Sequence, residues 1–178
     1  MPITPSKHRF LIYELGLLSL KAALSTRDKE WPIYDPSKRG HQRSEAKAVL
    51  RDLLLEIATR YAEGAVSSEV HIQFIESAAN DLSLKLSSTL HKGRFRVGVA
   101  QKFINVHLKY LWAAGLIPEP PHCPIDGIIR DIARINYHWT RSDSIEEYRN
   151  AVSALIVVAS PKSLSVWELE EFRRRAEA

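Results

Sequence analysis

The chain has 178 residues, the length of one domain, and its 45% hydrophobic content is enough to fill one core of that size. A charged fraction of 26%, with 7 glycines and 9 prolines, excludes disordered, collagenous and low-complexity classes. The single cysteine, Cys123, excludes an internal disulfide framework and a cysteine-held iron–sulfur cluster, and no zinc spacing is present, so no metal or cofactor is expected.

In chain order, the first predicted helix runs from Pro5 to Leu24, with Thr4 as its cap and Leu11, Leu15 and Leu18 as its apolar stripe. Its apolar run, Phe10 to Leu24, carries Glu14 and Lys21 and is too short and too charged to cross a bilayer. No small-residue cleavage site follows it, so a signal peptide is not expected. A reducing, cytoplasmic or chromosome-associated setting is expected. Trp31-Pro32, Asp35-Pro36 and Gly40 make residues 28–43 a loop, in which Trp31 and Tyr34 read as a plug on the core.

Ser44 is expected to cap a second helix ending at Gly64, with Ala46, Val49, Leu50, Leu53, Leu54, Ile57, Ala58 and Tyr61 on its buried face. A third helix starts at Ser67 or Ser68, sets Val70, Phe74, Ile75 and Ala78 on one face, and continues to about Leu90. His91-Lys92-Gly93 is a turn, and a helix then covers Val99 to Ala114. A proline-rich extended stretch, Leu116 to Pro124, leads to Asp126, which opens a helix ending near Asn136. Ser144 with Glu147, and Ser165 with Glu168, read as capping boxes for the last two helices. The expected fold is all-α: one compact, irregular multi-helix globule over residues 1–178.

The formal charge is only +4, but its distribution is uneven. Leu82 to Pro118 contains no Asp or Glu and holds Lys85, Lys92, Arg94, Arg96, Lys102 and Lys109 with His91 and His107. Such an excess attracts polyanions such as DNA phosphates. Within it, Gly98 reads as a turn between helical segments, with Lys102 in the next helix's first turn. Free N–H groups at that helix start would hold a phosphate. Asp126, 24 residues on, opens another helix, so a lysine and an aspartate could face one pocket.

Gly98-Val99-Ala100-Gln101-Lys102 and Cys123-Pro124-Ile125-Asp126 together resemble the hairpin and aspartate segments of the helix-hairpin-helix DNA glycosylases of the 8-oxoguanine type. Ala100 stands where the second hairpin glycine is usual. Lys109, seven residues after Lys102, is similar to the second lysine of the archaeal branch. The resemblance covers about the middle quarter of the chain, with the hairpin and active-site segment at about 93–127. It implies that Lys102 is the nucleophile that forms a Schiff base at the sugar C1′, and that Asp126 stabilises the sugar cation or moves protons. Lys92, Arg94, Arg96, Gly98, Gln101 and Lys109 become candidate contacts to double-stranded DNA. His122, Cys123, Tyr137, Trp139 and Trp31 become candidates for the base pocket, because a flipped base needs flat or apolar walls. Asn105 is a further polar candidate. Arg173, Arg174 and Arg175 read as a solvated helix end.

An attacking amine must be neutral, so Lys102 needs burial or cationic neighbours and no close carboxylate. The sequence has no Gly-x-Ser-x-Gly elbow, Walker loop or His-Glu-x-x-His, and Arg134 with His138 lacks the spacing of the helical HEPN ribonucleases. The reading is a base-excising DNA glycosylase, with possible settings in repair or in defence against modified phage DNA. Two alternatives stay open: a non-catalytic DNA-binding module in which Asp126 only caps a helix, and an all-helical protein-interaction domain.

Overall fold

The structure, a computed structural model, describes residues 5–172, so the expected cap Thr4 and the arginines 173–175 lie outside the described residues. The described chain is all-helical. It has seven α-helices: α1 (Pro5–Ala23), α2 (His41–Ala62), α3 (Ser68–Leu86), α4 (Val97–Ala113), α5 (Gly127–Ala133), α6 (Ile145–Ala159) and α7 (Leu164–Glu171). A short 3-10 turn covers His91–Gly93. Among the described residues no single helix is long and apolar enough to cross a membrane.

Helix α4 is the axis of the molecule and packs against α1, α2, α3 and α6. Every residue from Val97 to Asn105 is buried. A helix enclosed on all sides must be apolar nearly all round, or have every polar group partnered. Phe103, Ile104, Leu108 and Leu111 meet the first condition, and Gln101, Asn105 and His107 meet the second. The buried apolar residues from Leu20 to Trp167 form one cluster around it.

The second helix buries Ala46, Leu50, Leu54, Ile57, Ala58 and Tyr61, as its periodicity predicts. Its start differs from expectation: the N-cap is Gly40, and Ser44 lies inside the helix, where its hydroxyl donates to the Gly40 carbonyl. In α1 the buried face is Gly16, Ser19, Leu20 and Ala23, and Leu18 is exposed. The small residues Gly16 and Ser19 mark that face, a signal that a search for leucines passes over. Helix α3 takes in Leu82, Leu84 and Leu86 as helix and ends there, four residues before Leu90. Leu90 instead pairs with Tyr34, and His91 N–H donates to the Ile33 carbonyl, so the 28–43 loop does plug the core, through Ile33.

Ser144 caps α6 by accepting from Glu147 N–H, but the Glu147 carboxylate turns to the Ser142 hydroxyl, so only half of the capping box forms. In α7 the cap is Ser163; Ser165 and Glu168 lie inside the helix and face the core.

Gly98 lies inside the first turn of α4, not in a hairpin turn. A Cβ built there would stand 2.2 Å from the Trp139 carbonyl oxygen, so only glycine lets α4 lie against the 139–142 backbone. Gly98 N–H donates to the Ser142 carbonyl at 2.9 Å across the same contact. Gly98→Ala must push these two backbones apart. The expected cost is about 2–3 kcal/mol, a fall in melting temperature of about 4–10 °C measured by thermal unfolding. An unchanged melting temperature would contradict this packing.

Candidate functional site

Lys102 and Asp126 line the same cleft, of about 610 Å³, together with Trp139. The first two turns of α4 bring its walls together, one residue at a time. Arg96, just before the helix, is 3% exposed; its Nε donates to the Thr140 carbonyl at 2.6 Å and its Nη2 to the carbonyls of Trp31 and Pro32. With the Gly98 contact, this fastens residues 139–142 to the helix and turns Trp139, Thr140 and Arg141 toward the cleft.

Gln101 fixes the opposite wall. Its Nε2 donates to the Ile125 carbonyl at 2.7 Å and its Oε1 accepts from Ile125 N–H at 3.1 Å. A primary amide matches a backbone peptide donor-for-acceptor, so one side chain holds the extended segment before Asp126 in register. Asp126 then caps α5: its Oδ1 accepts from Ile128 N–H at 2.9 Å and from Ile129 N–H at 3.1 Å. Oδ2 makes none of these bonds.

Lys102 sits between the two walls and is 7% exposed. Its Nζ lies 3.9 Å from the centroid of the Trp139 ring. It makes no ion pair within 4.0 Å, with Asp126 or any other carboxylate among the described residues. Burial pushes its ammonium below the usual lysine value, and the charge of Asp126 pulls partly the other way. The Trp139 face also favours the ammonium. The site therefore holds a desolvated lysine beside a carboxylate that is near enough to be felt and too far to pair.

Most of the rest of the cleft comes from residues the sequence reading passed over. Arg27, Arg130 and Arg141 supply positive charge, and His138, which the sequence placed with Trp139 as a pocket candidate, stands beside them. Arg130 donates to His138 Nδ1 at 3.1 Å and is paired with Asp131. Asp28 is bonded by the Thr140 hydroxyl at 2.7 Å and by two backbone N–H groups, and the Thr140 bond leads in holding its carboxyl below the usual range. No motif spacing links 27–28 with 138–141, because only the fold brings them together.

Several expected contacts are corrected. The start of α4 has no free N–H for a phosphate: Val97 donates to Asp143, Gly98 to Ser142, and Val99 and Ala100 to Arg96. Gly98 and Gln101 are thus packing and clamping residues, and Asn105 is buried with Gln101. Arg96 is spent on three backbone carbonyls. Arg94 is paired with Asp143 at 2.8 Å and also donates to Asn80 and Ser83. Lys109 forms an ion pair with buried Glu168 at 2.8 Å. Of that set, Lys92 is exposed, with its Nζ 4.5 Å from the Trp31 ring centroid. The Trp31 ring is in contact with Lys92 and Arg96 and does not line the cleft. Tyr137 is buried and lines a neighbouring depression instead. Cys123 is sealed in the core, where burial raises its thiol.

His122 is also buried, as a link in a polar chain. Tyr61 hydroxyl meets His71 Nδ1 at 2.5 Å, and His71 Nε2 meets Asn105 Oδ1 at 2.8 Å. Asn105 Nδ2 donates to Tyr148 Oη at 3.1 Å; Tyr148 Oη meets His122 Nδ1 at 2.8 Å, and His122 Nε2 meets Ser68 Oγ at 2.8 Å. One proton arrangement satisfies every link, with both imidazoles neutral and each Nε2 carrying the hydrogen. A second proton on either ring would face a hydroxyl that is donating to it. The chain anchors His122 four residues before Asp126 and braces Asn105, one turn after Gln101. Among the described residues no group of three His, Cys, Asp or Glu side chains could hold a metal ion.

Compared with known protein families, curated proteins and solved structures, the chain matches none.

The buried histidines set an acid limit. Burial lowers His71 and His107 to about 4 and His122 to about 3, below the ordinary 6.5. Below pH 6.5 the unfolded chain takes up protons that the folded chain refuses, so stability is full above that pH and falls as pH drops toward 4. Each histidine contributes a slope of up to about 1.4 kcal/mol per pH unit in that window. Urea unfolding between pH 7.5 and 4.5 should show this decline; a flat profile would contradict neutral buried imidazoles.

Proposed function

We propose that this protein is a DNA glycosylase that excises a damaged or modified base through a Schiff base on Lys102. The observation that carries this reading is the meeting of Lys102 and Asp126 in one cleft, with the amine buried, unpaired and backed by an aromatic face. A nucleophilic lysine has to be desolvated without a salt bridge, and both conditions hold. A cleft of about 610 Å³ is in the size range of small-molecule sites and can admit one flipped nucleotide. The resemblance of the two segments around Lys102 and Asp126 to helix-hairpin-helix glycosylases supports the same reading, although here the glycine of that pattern serves packing.

In this reading Asp126 takes the proton from the Lys102 ammonium through a bridging water, since the two do not touch. The neutral Nζ attacks the sugar C1′ and forms a C–N bond. The bond from C1′ to the base breaks, and the base leaves with the electron pair and takes up a proton. The attached Nζ then passes one proton to O4′ as the C1′–O4′ bond breaks, which opens the ring and leaves the protonated Schiff base. Loss of a C2′ proton to Asp126 or water, with breakage of C3′–O3′, would expel the 3′ phosphate and cut the strand. Trp139 would also offer a flat surface beside the reacting sugar or base.

Borohydride trapping with duplexes carrying 8-oxoguanine, uracil, an abasic site or modified cytosines tests the claim. Wild-type protein is expected to crosslink to at least one duplex, and Lys102→Gln to none. DNA binding without any crosslink would remove the lysine mechanism and leave either a monofunctional glycosylase acting on another base or the non-catalytic binding module. The latter reading draws on one observation, that capping α5 already accounts for Asp126.

Asp126→Asn separates capping from catalysis, because asparagine caps a helix as well as aspartate does. The variant should keep its melting temperature within about 1 °C, given a cap change of a few tenths of a kcal/mol. Base release should fall about 10²- to 10⁴-fold. Full activity in this variant would reduce Asp126 to a cap.

A further inference from the structure

A second groove, of about 520 Å³, borders the cleft and shares Ser25 with it. Leu20 contributes to its apolar floor, and its polar rim is Lys21, Tyr34, Arg43 and Lys47, with no carboxylate lining it. Lys21 and Lys47 are exposed and make no ion pair within 4.0 Å among the described residues. The Arg43 guanidinium lies over the Tyr34 ring, 5.5 Å from its centroid. Tyr34 Oη and Arg43 Nε are both buried, and neither has a hydrogen-bond partner. Buried donors without acceptors are uncommon in folded proteins. Here the two residues that carry them both line one groove, beside two unpaired ammonium groups. Burial also keeps the Tyr34 phenol protonated, at about 12, so it offers a hydrogen over the whole physiological range.

The complement of such a site is an oxyanion with several acceptor oxygens. A backbone phosphodiester has this form. The neighbouring cleft keeps a positive excess, with Arg27, Lys102, Arg130 and Arg141 against Asp28 and Asp126. We infer that this groove binds a backbone phosphate of the double-stranded DNA whose nucleotide enters the cleft, with the strand passing Ser25 between the two. The inference rests on the DNA reading above and deepens it by placing the phosphate contacts on α1, α2 and the 28–43 loop, where the sequence reading had put them between Lys92 and Lys109.

The test is fluorescence anisotropy of the full chain with a labelled duplex carrying 8-oxoguanine, across a series of salt concentrations. The variants are Lys21→Glu/Lys47→Glu, Tyr34→Phe and Lys102→Gln, with borohydride trapping run in parallel. Both lysines are exposed, so the double variant is expected to fold, and its melting temperature checks this. Its affinity should fall by at least about tenfold, and its log–log salt slope should shrink by about 2, close to 0.9 for each lost phosphate contact. Tyr34→Phe should weaken binding less and leave the salt slope unchanged, because no charge is lost. Lys102→Gln serves as the no-crosslink control in the trapping.

If the double variant keeps the wild-type affinity and slope, the groove is not the phosphate site, whatever the trapping shows. If trapping fails while the double variant still loses affinity and slope, the phosphate site stands and the lysine mechanism falls. If wild-type protein does not bind duplex DNA, both are overturned.

Discussion

A single buried amide organises this protein. Gln101 pairs with both polar groups of the Ile125 backbone, and it does so from the enclosed face of the central helix α4. Without that pairing, the extended segment from Pro118 to Ile125 would run past α4 with buried peptide groups unmet, at about 1–3 kcal/mol for each orphan. With it, Asp126 emerges where its carboxylate can cap α5 and face the cleft that Lys102 enters. The residue next to the clamp is therefore the candidate nucleophile, and the residue next to the clamped peptide is the candidate acid–base group. Adjacency in sequence on both sides of one interaction is what fixes their relation in space.

The second wall depends on the same two turns of helix. Gly98 lets the 139–142 backbone touch α4, and Arg96 binds its carbonyls. Four consecutive N–H groups at the helix start are taken up by Asp143, Ser142 and Arg96. A helix N-terminus used in this way is a joint, and its dipole is spent on holding the protein together. The cleft is thus lined largely by two loop segments, 25–28 and 138–141, and the second is fastened directly to the helix. Its cationic side chains arrive from distant segments that the joint holds in place.

The sequence made the helices legible and most of the polar chemistry illegible. Periodicity located α2 and its buried face, because eight apolar positions at helical spacing leave little choice. Asp126 was legible as a cap, and Lys102 with Asp126 as a pair facing one pocket. The acid-free stretch misled, because charge in a sequence does not say where the charge is spent. Arg94 and Lys109 meet Asp143 and Glu168, which lie 49 and 59 residues away. Arg96 donates to three backbone carbonyls and lies against the Trp31 ring. Gln101, Asn105 and His107 look like a wet helix face until the helix is known to be central. The His71–Asn105–Tyr148–His122 chain joins α3, α4, α6 and the extended segment, and no spacing within any one of them announces it. The apolar pattern of α4 gave no such clue, because Phe103, Ile104, Leu108 and Leu111 share one face, and only the fold shows that the opposite face, with Gln101 and Asn105, is buried too.

The central claim is that Gln101 holds the Asp126 segment onto α4. Amide hydrogen exchange at Ile125, followed by NMR in the wild type and in Gln101→Leu, tests it most directly. The account predicts that Ile125 N–H exchanges as slowly as the buried amides of α4 in the wild type. It predicts at least about a hundredfold acceleration in the variant, while the amides of α2 change little. Loop-like exchange at Ile125 in the wild type would contradict it, as would equal protection in both proteins.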